Sequence, residues 1–271
     1  MVSKKDSFRV IKSNLLIESR YELTITEIKL FLLMIKNISI NEKQFTKHKM
    51  YIRDFIEEGN IRDTSIYSKI DKITDKFLSR VLKLKVSKHR YFKTHFMASI
   101  EYEKGWDYFI YDFHPSLTEH LLRLKHSFTP FDIRNVIQCN SVYSIRIYTL
   151  CKEYEDIGER VIDLDELKYM LSCEKSYKRW ADFRRYVLET SSRELKKHSD
   201  IYFKFEGIKQ GRKIRKVKFI IKTKKQQRLF DRRETFIENT TIEKIQELEE
   251  ASKDTVSMPK HLKKGLYDDE S

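Results

Sequence analysis

The first part of the chain carries apolar residues at helical spacing. Thr24 and Glu27 have the spacing of a capping box, and the apolar residues after them predict a buried helix over residues 25–38. A short helix is predicted over residues 51–58, and a second helix begins near residue 63. Together these two helices make a helix–turn–helix pattern.

The apolar period then changes from about 3.6 residues to about two. Leu82, Leu84 and Val86 alternate with lysines, and a second alternating run at residues 96–102 leads through a polar turn to a returning strand at residues 108–111. Two helices followed by a β-hairpin are the element order of a winged helix. The N-terminal half is therefore predicted to be a winged-helix domain.

The second half of the chain repeats this order. Thr129 followed by Pro130 predicts the start of a helix. Ser141 is predicted to start a helix over residues 141–154, and Asp163 is predicted to cap another over residues 164–171. A long helix over residues 179–198 comes next. Alternating apolar residues on both sides of a turn at residues 207–211 then predict a second hairpin with a basic tip.

Length and composition fit two domains. The chain has 271 residues, 40% of them hydrophobic and 13% aromatic, which is enough for two buried cores. It has only 6 Gly and 3 Pro, which favours long helices with short connections. The predicted fold class is α+β and helix-rich, with two tandem winged-helix domains, β-hairpin wings and a flexible C-terminal tail. The predicted domains are residues 8–125 and 126–225, and the tail is residues 226–271.

The charge indicates a polyanionic partner. Lys and Arg total 55 against 41 Asp and Glu, which gives a net charge of +14. Residues 225–271 contain nine basic and eleven acidic side chains, so the whole basic excess lies in residues 1–224. A field of this sign attracts nucleic acid, because each phosphate that is neutralised releases condensed counterions. A proteome-wide bias toward lysine is the alternative explanation.

The polar face of the long helix carries candidate base-reading residues. Its apolar positions lie on one side, and the other side has side chains that can bond base edges in the major groove. The candidates on this face are Arg185, Glu189, Ser192, Arg193 and Lys196. Arg184 projects nearer the packed boundary, as a phosphate contact. An ordinary solvated face of a basic protein is the competing interpretation.

A basic hairpin follows this helix, over residues 207–216, and strengthens the nucleic-acid interpretation. Its candidate contacts are Arg212, Lys213 and Arg215. The candidates in the N-terminal half are Lys69, Lys72 and Lys76. Lysines suit phosphate contact better than base discrimination, although a solvated lysine face explains these three residues nearly as well.

Motifs typical of several other classes of protein do not occur in the sequence. It has no GxxxxGK[ST] phosphate loop, no His-x-His or HExxH metal motif and no CxxC pair, so no catalytic residue, cofactor or metal site is predicted. The N-terminus lacks the apolar core of a signal peptide, and no apolar run approaches the length of a membrane span. The three cysteines fit a reducing compartment, so a cytoplasmic location is expected.

Five short segments, considered together, resemble one family. They are residues 140–148, 162–167, 182–188 and 211–213 in the C-terminal half, and residues 19–23 in the N-terminal half. In order and spacing these segments resemble the replication initiators of iteron-containing, theta-replicating bacterial plasmids. The resemblance covers residues 8–224 and implies two winged-helix domains. The first would contribute to dimerisation and contact the DNA backbone, and the second would dominate sequence recognition.

The resemblance also implies a mode of action. Arg184, Arg185 and Arg193 would lie on the recognition helix, and the hairpin tip would be its wing. Such proteins bind directly repeated origin sequences as monomers, and their dimers repress their own gene. Origin opening would come from DNA deformation together with the host initiator and replicative helicase, with chaperones as further partners. A stand-alone winged-helix repressor stays open as an alternative, and a rolling-circle nickase is the enzymatic alternative.

Overall fold

The structure, a computed structural model, describes residues 8–39, 42–63, 65–87, 89–122 and 127–224. By its internal contacts the chain divides into Met1–Thr223 and Lys224–Ser271, and the described residues lie almost wholly in the first unit. The predicted flexible tail, residues 226–271, lies outside the described residues.

The N-terminal half has the helices and hairpins of a winged helix. Its helices are α1 (Asn14–Ile17), α2 (Ile25–Lys36), α3 (Ile52–Glu58), α4 (Ile66–Leu78) and α5 (Thr118–Leu121), with a 3-10 turn at Pro115–Leu117. Its strands are β1 (Arg9–Ser13), β2 (His48–Tyr51), β3 (Val81–Lys85), β4 (Tyr91–His95), β5 (Met97–Glu101) and β6 (Tyr108–Phe113). β3 pairs with β4, whereas β2, β6 and β5 form an antiparallel sheet in that order.

Local sequence explains where α2 begins and how it is anchored. The Thr24 hydroxyl accepts a hydrogen bond from the Glu27 N–H, and the Glu27 carboxylate accepts one from the Thr24 N–H, which confirms the predicted capping box. The same buried carboxylate accepts two hydrogen bonds from Arg80, at 2.9 and 3.1 Å. Glu27 therefore ties the start of α2 to the segment that follows α4.

The C-terminal half repeats the arrangement around a three-stranded sheet. Its elements are β7 (Phe128–Asp132), a 3-10 turn (Ile133–Asn135), α6 (Val142–Lys152), β8 (Glu159–Asp163), α7 (Leu164–Met170), α8 (Trp180–Phe183), α9 (Thr190–His198), β9 (Ile201–Gln210) and β10 (Lys213–Thr223). β10 lies between β8 and β9 and is antiparallel to both. Ser141 caps α6 and Asp163 caps α7, as the sequence predicts.

The segment around Pro130 is a strand, and the helix start predicted there is wrong. β7 pairs antiparallel with β1, and Pro130 lies opposite Ile11. Both strands of this two-stranded sheet are edges, where a proline without an N–H group is tolerated. The pair joins segments on the two sides of the boundary that the sequence predicts between residues 125 and 126. The boundary itself stays a prediction.

The second hairpin turns later than the sequence predicts. β9 continues through Gly207, and the turn consists of Gly211 and Arg212 rather than residues 207–211. Gly211 has a φ of +64°, a conformation that favours glycine. Gly207 is required for a different reason, because a Cβ atom there would lie 2.8 Å from Cζ2 of Trp180. The strand and the long helix therefore approach closely at this glycine.

The two halves are joined by a buried arginine. Nη2 of Arg146, on α6, donates to the carbonyl oxygen of Ser19 at 2.6 Å and to that of Met170 at 3.0 Å. Its guanidinium also lies 3.9 Å from the centroid of the Tyr21 ring. One continuous hydrophobic core runs through both halves. In the part of the chain that the structure describes, no helix is long and apolar enough to cross a membrane.

Candidate nucleic-acid interface

The long helix that the sequence predicts over residues 179–198 contains a change of helix type. α8 passes into a π-helical turn over Arg184–Glu189, here called the π turn, and α9 continues from it. A π turn forms i to i+5 hydrogen bonds, so it changes which side chains share a face. The sequence predicts the helix but gives no indication of this turn.

The helix nevertheless has a buried side and an exposed side. The buried residues are Phe183, Val187, Leu188, Ser191 and Leu195. Among the candidate residues, Arg184, Arg185, Arg193 and Lys196 are exposed, and Glu189 and Ser192 are half-buried. The apolar side packs against α6 and β9, which leaves the basic side toward solvent.

Arg184 lies on the exposed side, and its predicted position near the packed boundary is wrong. At about 100° per residue, a uniform α-helix would place Arg184 between Leu188 and Ser191 on the buried side. The π turn has one residue more than an α-helical turn, so the residues before it are shifted by one position around the helix axis. Phe183 therefore occupies that buried position, and the Arg184 side chain is 58% exposed. Nε of Arg184 then donates to Oε1 of Glu189 at 2.8 Å.

Four candidate residues surround one open depression between the helix and the sheet. They are Arg185, Glu189, Ser192 and Arg193, and the floor is completed by Phe205 of β9. The depression therefore brings two guanidinium groups and a carboxylate together on one surface. These are the groups that can bond guanine and cytosine edges.

Ser192 has a structural contact that the sequence does not reveal. Its hydroxyl donates to the carbonyl oxygen of Phe203 at 2.9 Å, which ties the helix to β9.

A second depression lies beside the first and shares Phe205 with it. Its lining residues are Trp180, Arg184, Phe205, Gly207 and Ile214. Sequence reasoning missed Trp180 and Gly207 as parts of this surface. A glycine inside an alternating strand is the signal that could have shown the close approach.

The first turn of the helix contains an ion pair between Arg179 and Asp182. Nε and Nη2 of Arg179 both donate to the Asp182 carboxylate, at 2.8 and 3.0 Å. These hydrogen bonds hold the pKa of Asp182 below its ordinary value. Nε and Nη2 of Arg179 are therefore already hydrogen-bonded to a residue of the same helix.

The wing residues fall into two groups. Arg212 and Lys213 are exposed at the tip of the β9–β10 hairpin. Arg215 sits at an irregularity of the pairing between Ile214 and Lys216, and its Nη1 lies 3.8 Å from Oδ2 of Asp165 on α7. The tip is thus free to reach a neighbouring surface, whereas Arg215 lies beside an acidic residue.

The lysines of α4 are exposed, as the helical spacing predicts. Lys69 donates to Oδ2 of Asp63 at 2.8 Å, and this bond, with those from Ser65, holds the pKa of Asp63 well below its usual range. Lys72 and Lys76 make no ion pair with any residue that the structure describes. Two of the three lysines are thus available for phosphate.

In the described part of the chain the cysteines are buried and no cluster of metal ligands is found. Within the described ranges no group of three or more His, Cys, Asp or Glu residues could hold a metal ion. Cys139, Cys151 and Cys173 are buried, and burial raises the pKa of each thiol to about 12. At neutral pH these thiols stay protonated and unreactive.

The fold and surface together define a tandem winged-helix protein with a basic helix and hairpin in its second unit. A family model described as "Initiator Replication protein, WH1" matches residues 9–152, and one described as "Initiator Rep protein, WH2" matches residues 163–221. The chain therefore belongs to the family of initiator replication proteins, and the predicted family and the two predicted tandem winged-helix domains are confirmed.

Two known proteins illustrate the likeness. A replication initiation protein from Escherichia coli is 25% identical over 204 aligned residues, and the match covers 71% of this chain and 63% of that relative. The crystal structure of the Pi initiator protein in complex with iteron DNA has a TM-score of 0.66 and 20% identity, and the match covers 80% of this chain and 97% of that chain. At this identity the second likeness shows a shared fold.

Proposed function

We propose that this chain is a plasmid replication initiator that binds directly repeated origin DNA through the long helix in the major groove. One observation carries the proposal: the helix exposes Arg184, Arg185 and Arg193 with Glu189 on one side. The hairpin tip that follows it is basic as well. Membership of the initiator family, and the iteron DNA bound by the Pi initiator, support this function.

The chemistry of the exposed side suits base recognition. An arginine fork can donate two hydrogen bonds to O6 and N7 of guanine, and a glutamate can accept one from N4 of cytosine. Lys196 and the wing residues Arg212 and Lys213 suit phosphates, which fix the register of the protein on the duplex. The C-terminal domain, residues 126–225, would therefore supply most of the sequence recognition.

The N-terminal domain, residues 8–125, would add backbone contacts and self-association. Its exposed Lys72 and Lys76 suit phosphates, with Lys69 less available because of its pair with Asp63. Binding to repeated sites would deform the adjacent duplex and recruit the host initiator and replicative helicase in the cytoplasm. A dimeric form would repress the chain's own gene.

Arg185→Ala tests the proposed reading face. We expect the variant to lose about 1 to 3 kcal/mol of binding free energy on repeat DNA and little on a scrambled duplex. Arg179→Ala is the matched control, because the Arg179 fork is committed to Asp182. Fluorescence anisotropy on both duplexes measures the two losses. Equal losses would make Arg185 a phosphate contact, and unchanged affinity on both would contradict the proposed face.

A further inference from the structure

The π turn brings together two residues that a uniform α-helix keeps apart. Residues five positions apart in an α-helix point about 140° away from each other. In the π turn Arg184 and Glu189 are hydrogen-bonded at 2.8 Å, and Thr190 Oγ1 donates to the Arg185 carbonyl oxygen, again five residues away. The pair is therefore a product of the local helix type.

Arg184 and Glu189 keep free hydrogen-bonding groups after they pair. Only Nε of Arg184 is used, and within the described residues its two Nη groups and Oε2 of Glu189 have no hydrogen-bond partner. The two side chains are 58% and 42% exposed. The Arg179–Asp182 pair differs, because it uses two nitrogens of the guanidinium and both carboxylate oxygens.

The position of the pair is central on the proposed DNA-binding surface. Arg184 lines the depression beside Trp180 and Gly207, and Glu189 lines the depression that holds Arg185 and Arg193. Phe205 lies in both depressions, so the pair stands where they meet.

We propose that Arg184 and Glu189 act as one specificity element that reads a single G·C base pair in the major groove. Guanine presents two acceptors, N7 and O6, and its paired cytosine presents one donor, N4, beside them. The Nη groups of Arg184 supply two donors, and Oε2 of Glu189 supplies the adjacent acceptor. An A·T pair does not match, because adenine presents a donor at N6 where guanine has O6. Glu189 also positions Arg184 through Nε. This assignment rests on the proposed function.

The test is a panel of duplexes in which each base pair of the protected site is replaced in turn. For Arg184→Ala we expect discrimination at one G·C pair to fall by about 5- to 150-fold, with other positions unchanged. Glu189→Gln is expected to relax the cytosine requirement at that same pair, because an amide can also bond adenine. The double variant should lose no more than the larger single effect, as expected of one unit.

Controls separate a failure of this pair from a failure of the proposed function. Arg179→Ala should leave every base preference unchanged, and far-UV circular dichroism should show that all variants fold. If Arg193→Ala changes the base preference while Arg184→Ala and Glu189→Gln change none, the pair is a surface ion pair and only this inference is overturned. If the two variants act at different base pairs, the single element is also overturned. If the unaltered chain shows no preference at any position, the proposed function itself fails.

Discussion

Lys12 is a buried lysine, and replacing it tests whether burial lowers the pKa of its amine. Its side chain is on β1 and is only 2% exposed. Nζ lies 4.9 Å from the centroid of the Phe31 ring and 5.7 Å from that of Phe131. Burial, and then the charge of Arg146, lower the pKa of Lys12 from 10.5 to about 7. At neutral pH the folded chain therefore holds this proton weakly.

The lowered pKa fixes the sign of the pH dependence. Between pH 7 and pH 10 Lys12 has lost its proton in the folded chain and keeps it in the unfolded chain. Because unfolding then takes up a proton, Lys12 makes the free energy of unfolding rise with pH, by about 1.4 kcal/mol per pH unit. Below pH 7 both states are charged, and the cost of burying the charge is constant. Lys12→Met keeps the aliphatic stem and removes the charge. We expect it to be more stable than the unaltered chain by on the order of 4 kcal/mol at pH 7.

Urea unfolding followed by circular dichroism at several pH values measures this difference. The advantage of Lys12→Met should shrink steadily from pH 7 to pH 10, while Lys72→Met, at an exposed position, should show no such trend. A difference between the two chains that stays constant across this range would refute the assignment of a lowered pKa to Lys12. Comparison within a variant pair cancels the titration of the tyrosines and thiols.

Two further predictions concern the candidate interface. Ser192→Ala should lower the free energy of unfolding by about 1 kcal/mol, because the hydrogen bond to Phe203 is lost, and should leave base preference unchanged in a duplex panel; a stable variant with relaxed preference at one position would make Ser192 a base contact instead. Lys213→Ala should weaken binding to specific and random DNA alike and reduce the slope of log affinity against log salt by about one; an unchanged slope would remove the hairpin tip from the interface.

Features set by neighbouring residues were predictable from the sequence. The capping box of Thr24 and Glu27 depends only on two residues three positions apart. The alternation of apolar and polar residues after residue 198 can be recognised within a single strand. The sequence mispredicts the segment at Pro130, because a proline after a threonine also fits a helix start. What makes the segment a strand is its pairing with β1, about 120 residues earlier in the chain.

The candidate site was predictable in its residue types but not in its geometry. Helical spacing at 3.6 residues per turn places Arg185 and Arg193 on the outer side, where the structure has them. It misplaces Arg184, because one extra residue in the π turn rotates the start of the helix relative to its end. In the structure Phe183 is buried, and the Arg184 side chain beside it is 58% exposed.

Protection footprinting of the purified chain on the DNA that flanks its gene tests the central claim most directly. The proposed initiator should protect directly repeated sites about two helical turns apart beside an AT-rich segment. The same footprint should be lost with Arg185→Ala and kept with Arg179→Ala. A single protected palindrome, or uniform protection without sites, would contradict the claim that the long helix reads repeated origin DNA.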